Sequence, residues 1–145
     1  MTAEDFVFGR RCVAGRHNAR LMSTPGGAGV WRRRLDPLPA IALEDGLTVH
    51  VAAGPFARLR GLAALEDLPG EHGLLLPRTR SVHTFGMRFA LDLVWLTRDG
   101  AVLAIEGSIG PRRHAMARSA RSVVEVREGW GPRFVEAGLE AALRR

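Results

Sequence analysis

The chain has 145 residues, 46% hydrophobic and 25% charged, with a net charge of +6, a composition that favours one globular domain built on one core. No apolar run reaches the ~18–20 residues needed to cross a bilayer, and a single cysteine, Cys12, excludes an internal disulfide. All 21 basic residues are arginine, which excludes lysine Schiff-base chemistry and a P-loop lysine.

Residues 1–38 read as a poorly ordered N-terminal extension rich in Arg, Gly and Pro. The charge is concentrated there. Residues 1–35 carry a net +5, whereas residues 36–145 carry only +1. Two basic stretches with aromatics, DFVFGRR and VWRRR, present nucleic-acid binding through residues 1–35 as one alternative, or contact with an acidic partner as another. A solvated extension, or a true start near Met22 or Val30, accounts for the same composition. No secretory signal is readable, so cytoplasmic residence is the default expectation.

The ordered body is expected over residues 39–145. Asp45-Gly46 lies between two short strands, a tight hairpin signal. In PFARLRGLAALEDLPG, Pro55 suits a first helical position. Phe56, Leu59, Leu62, Ala63 and Leu65 fall near helical spacing, predicting one apolar helix face. HGLLLP is a short strand, and RTRS turns. The run from Val82 to Leu96 would span about 50 Å as one strand at ~3.3 Å per residue. A body of this size is roughly 35 Å across, so the run must bend, and Gly86 is the place. Asp99-Gly100 predicts a second hairpin into AVLAIEGSI. Residues 110–122 are expected as loop, VVEVREG as a strand, and WGPRFVEAGL as a short helix with Pro132 in its first turn. Strands joined by hairpins, with helices inserted once and appended once, indicate a mostly antiparallel sheet.

His83 and Asp92 are the polar residues of the long run. Even with a bulge at Gly86 they stand some 30 Å apart if extended, and a working pair must approach to about 3 Å. The simpler expectation is a buried His83 bonded to the backbone. Asp92 is expected to be bonded to backbone N–H groups, Arg88 or Arg58. An architectural Asp92 should then tolerate Asn and not Ala.

The body resembles domain-of-unknown-function family 192. Arg58, Gly61 and Leu62 match its Arg-x-x-Gly-Leu helix start, and Gly73-Leu74-Leu75-Leu76 its glycine-led strand. Val82-His83-Thr84-Phe85-Gly86-Met87 matches the Val-His-Thr-x-x-Met motif of one branch. Ala90-Leu91-Asp92 stands for Pro-Leu-Asp, and Asp99-Gly100, Glu125 and Gly129 complete the series over roughly residues 47–139. Departures are Ala57 where a Glu usually precedes the helix Arg, Ala90 in place of Pro, and a shortened C-terminal strand. The resemblance implies a mostly β (α+β), barrel-like or sandwich-like domain with one or two short helices. It implies no reaction.

The five histidines show no ligand spacing, so no metal and no cofactor is expected. There is no Gly-x-Ser-x-Gly elbow and no thiol nucleophile outside the extension. The segment from 107 to 124 holds Arg112, Arg113, Arg118 and Arg121 without an acid. Such guanidinium groups suit a small anionic ligand or an acidic protein surface, although a solvated loop in an arginine-biased chain is the simpler reading. The leading expectation is therefore a non-enzymatic ligand- or partner-binding or accessory domain, with Arg58, His83, Asp92, Arg112, Arg113 and Arg118 as candidate ligand-binding residues. The alternative is a hydrolase-like enzyme with His83 as base, Asp92 as orienter and Arg58 as anion clamp.

Overall fold

Asp45 and Gly46 turn the chain back at positive φ, 57° and 72°, the backbone of a type I′ hairpin turn. They join β1 (Ala40–Ala42) to β2 (Thr48–Val51), with Ala40 opposite His50 and Ala42 opposite Thr48. The computed structural model describes residues 28–144. Its other strands are β3 (His72–Leu76), β4 (Ser81–His83), β5 (Leu91–Leu96), β6 (Val102–Ile109), β7 (His114–Met116) and β8 (Ser122–Arg127). The helices are α1 (Ala28–Leu35), α2 (Pro55–Arg60), α3 (Gly131–Glu136) and α4 (Leu139–Leu143).

The main sheet runs β1-β2-β3-β8-β5-β6 and is open, with β4 and β7 forming a second, two-stranded sheet. The fold is mostly β with short helices, and among the described residues the main sheet does not close into a barrel. Pairing is antiparallel except β2 with β3, which run parallel because α2 lies in the connection between them.

Strand alternation divides the core in two. Leu91, Leu93 and Trp95 face one cluster with Leu74, Leu76 and Val123, and Val82 and Ala115 of the small sheet pack there too. Val94, Leu96, Val124 and Val126 face the other, closed by Phe134, Ala137 and Leu139 of the α3–α4 segment. Central strands buried on both faces must be apolar on both, which is why β5 and β8 read as near-continuous hydrophobic runs.

Several expectations need correction. The extension does not reach residue 38: α1 buries Trp31 and Leu35, one turn apart, in the first cluster. Trp31 also packs on His72, ring centroids 4.5 Å apart. His50 Nε2 lies 3.0 Å from His72 Nδ1. Burial lowers the pKa of both imidazoles, and His72 lowers that of His50 further, so one neutral ring can donate and the other accept. Residues 1–27, with DFVFGRR and Cys12, lie outside the described residues. The expected loop after β6 contains β7, which pairs with β4 through Val82↔Ala115 and His83↔His114. The expected helix after Pro55 stops at Arg60. Phe56 and Leu59 stand 87% exposed, while Leu62, Leu65 and Leu68 are buried beyond its end. The long run does break near Gly86, at φ +79°. Thr84 anchors the break, donating its hydroxyl to the Gly110 carbonyl at 2.7 Å and accepting the Arg113 N–H at 2.7 Å.

Asp92 closes the second face. A register shift between Leu91 and Leu93 leaves a bulge in β6, with Ser108 at φ +58°. Asp92 is buried and its Oδ1 accepts the Ser108 N–H at 3.0 Å. Its Oδ2 accepts from Gly129 at 3.0 Å and Gly131 at 2.9 Å, where α3 begins. A Cβ on Gly131 would stand 3.0 Å from that same oxygen, so only glycine lets the helix start seat on the carboxylate. The backbone supplies every bond, and Arg88 pairs instead with Glu66 at the surface. Because both oxygens accept, an amide at this position must turn its NH2 toward a backbone N–H, so Asn is not mild. We predict that Asp92→Ala costs more than about 3 kcal/mol and Asp92→Asn about 1–3 kcal/mol in denaturant unfolding. Wild-type stability in Asp92→Ala would refute the clamp.

Candidate functional site

The sequence candidates separate in space. Arg58 on α2 and His83 on β4 line one groove of about 520 Å³ on the first face of the main sheet. Asp92 points to the other face, since it alternates with Leu91 and Leu93 of the first cluster. A direct His83–Asp92 pair is therefore not formed. His83 is not buried, as expected, but exposed, its ring 5.0 Å from that of His114 and 6.0 Å from that of Phe85. Arg112, Arg113 and Arg118 are exposed and line no part of the Arg58–His83 groove.

The groove has a floor that residue patterning did not assign to a site. Glu125 lies in the middle of β8, paired to Leu74 of β3 on one side and Leu93 of β5 on the other. Alternation puts it on the first face with Val123, at the bottom of the groove. It is 4% exposed, and its Oε2 has no hydrogen-bond partner among the described residues. Burial pushes its pKa up to about 7, outweighing the backbone hydrogen bond at Leu62 that favours the carboxylate. The cover is the end of α2. Gly61 has φ +51°, a backbone that glycine permits, and it lies over the carboxyl, where an added Cβ would touch Glu125 Oε2 at 3.4 Å. Arg34 of α1 holds that turn, its guanidinium donating to the carbonyls of Gly61 (3.3 Å) and Ala63.

Apolar walls from Leu62, Leu76, Val82 and Met87 rise to a polar rim with Arg58, Arg60, Thr79, Ser81 and His83. The arrangement can hold an amphipathic small molecule, with one hydrogen-bonding carboxyl below and cationic groups above. Among the described residues, no three His, Cys, Asp or Glu side chains are grouped to hold a metal ion. The available sequence signal for Glu125 was its place in VVEVR, a carboxylate set into a strand that must be buried on both faces.

A family model described as DUF192, Uncharacterized ACR, matches residues 40–140. The chain belongs to this family. The DUF192 chain is also 33% identical over 107 residues to a protein of Methanoculleus marisnigri named "Probable bifunctional tRNA threonylcarbamoyladenosine biosynthesis protein". That match covers 72% of this chain and 20% of the relative, so the chain spans about a fifth of the relative's length. Among solved structures it is similar to a putative transcription regulator of Sinorhizobium meliloti (TM-score 0.54, 24% identity, 66% of this chain and 83% of that one). It is also similar to a protein of unknown function of Novosphingobium aromaticivorans (TM-score 0.53, 16% identity, 67% and 86% covered). Both structural likenesses concern the fold alone.

The buried carboxyl makes a signed prediction. Its folded pKa of about 7 lies above the ordinary 4.5, so its contribution to stability is fully present below pH 4.5 and is lost as pH rises through 7. Glu125→Gln, which mimics the protonated group, should match wild type near pH 4 and exceed it by about 3 kcal/mol above pH 8. Urea unfolding across that range measures it, and parallel pH profiles for the two proteins would show that Glu125 titrates normally.

Proposed function

We propose that this DUF192 domain is a non-enzymatic accessory domain that binds a small ligand in the Glu125 groove. The observation that carries the reading is a buried carboxyl group whose Oε2 makes no hydrogen bond among the described residues, at the floor of a groove with apolar walls. A buried polar atom left unsatisfied costs stability, and a ligand that supplies the missing bond recovers it. The ligand has an apolar body, a hydrogen-bonding group that meets Glu125, and an anionic group held at the rim by Arg58. The anion site thus moves from the Arg112–Arg118 segment to the groove mouth. The relative in which this domain is a fifth of a longer chain supports an accessory role.

One observation favours a second, enzymatic reading. A carboxyl with a pKa of about 7 is suited to general acid–base work, and His83 shares its groove. In that reading Glu125, not Asp92, is the carboxyl partner.

A library of small amphipathic carboxylates screened by protein-observed NMR separates the two. Binders should shift the resonances of Leu62, Met87 and Glu125, with affinity reduced about tenfold or more in Arg58→Gln and Glu125→Leu. Binders that cluster elsewhere would refute the groove. Turnover in a broad hydrolase panel, lost in a folded His83→Ala, would replace binding with catalysis.

A further inference from the structure

The helix α2 stands as a ridge between two grooves. One is the Glu125 groove. The other, also about 520 Å³, opens toward α1, with Leu35, Leu38 and Leu74 inside and Arg33, Arg34 and Arg60 around it. Phe56 and Leu59, three positions apart and so on one face of the helix, project from the ridge with 87% of their surfaces exposed. Phe85, 61% exposed, stands on the far lip of the Glu125 groove.

The charge around the ridge has one sign. Arg33, Arg34, Arg58 and Arg60 line the two grooves, and among the described residues the only carboxyl lining either is Glu125, buried at a floor. Among the described residues the ion pairs are Arg88–Glu66 and Arg127–Asp67, so none of the four ridge arginines is neutralised by one. Arg34 and Arg60 are near enough that, after burial, the charge of Arg60 lowers the Arg34 pKa. Protruding apolar side chains ringed by arginines call for a surface that is apolar beneath and anionic on top.

We infer that the α2 ridge docks the domain onto an anionic lipid surface. Phe56 and Leu59 enter the boundary between headgroups and acyl chains, while Arg33, Arg58 and Arg60 meet lipid phosphates. A second copy of the chain is the wrong occupant, because it would set the same arginines against each other. An acidic protein would need a cleft shaped to two protruding side chains, whereas a fluid interface accepts them without a preformed fit. No helix among the described residues is long and apolar enough to cross a membrane, and docking at the surface requires none.

The test is cosedimentation of the full chain with vesicles of phosphatidylglycerol and phosphatidylcholine in equal parts, against phosphatidylcholine alone. Partitioning should favour the anionic vesicles about tenfold or more and fall steeply as salt is raised. The double substitution Phe56→Ser/Leu59→Ser should lower it about tenfold or more without changing the melting temperature, since both side chains are exposed. This variant keeps every arginine, including those of residues 1–35. Wild-type partitioning by the variant would therefore assign binding to charge elsewhere and overturn the inference. Absence of vesicle binding, or retention on polyglutamate that depends on Phe56 and Leu59 without vesicle binding, would overturn it too, the latter in favour of an acidic protein.

Discussion

One carboxyl group, on a central strand of a six-stranded sheet and buried beneath a turn of backbone at a groove floor, organises the first face of this domain. The Glu125 side chain reaches that position because β8 is paired on both sides, so neither side chain nor strand can slide toward solvent. Covering it requires α2 to end early, Gly61 to adopt a backbone that L side chains rarely take, and Arg34 to tie the turn down from α1. The groove walls and the projecting ridge share that cover, and Arg34 ties it to α1, whose Trp31 and Leu35 pack in the same cluster.

Two buried carboxyls on neighbouring strands show why one reads as structure and the other as function. Asp92 faces the α3 side and fills both oxygens with backbone donors. Its environment is complete, and a ligand has nothing to add. Glu125 faces the opposite side with an oxygen unpaired and is pushed toward its protonated form by burial. An unpaired polar atom at a groove floor is the feature on which the proposed ligand site rests. Satisfaction of hydrogen bonds, more than burial or charge, separates the two.

Local chemistry was legible in the sequence, and tertiary cover was not. Asp45-Gly46 and Asp99-Gly100 announced their hairpins because each pair supplies the positive φ its turn needs, from both residues in the first and from Gly100 in the second. The burial of Asp92 followed from its leucine neighbours, and the bend at Gly86 from the length of the run. The apolar spacing of Phe56, Leu59, Leu62 and Leu65 predicted a single helix face. It failed because Gly61 ends the helix, sending Leu62 and Leu65 inward and leaving Phe56 and Leu59 outside. In α1, Trp31 and Leu35 were lost to view among arginines, glycines and prolines, since one buried pair makes no sustained period. The family resemblance marked Glu125 as a motif position, but its missing partner depends on Gly61 and Leu62, distant in the chain and fixed only by the fold.

The most direct measurement is a carbon-13 NMR titration of the Glu125 side-chain carboxyl in the full chain. The expected midpoint lies near pH 7, set by burial at the groove floor. A midpoint near the ordinary 4.5 would mean that water reaches the carboxylate freely, and would contradict the claim that this group is held in reserve for a ligand.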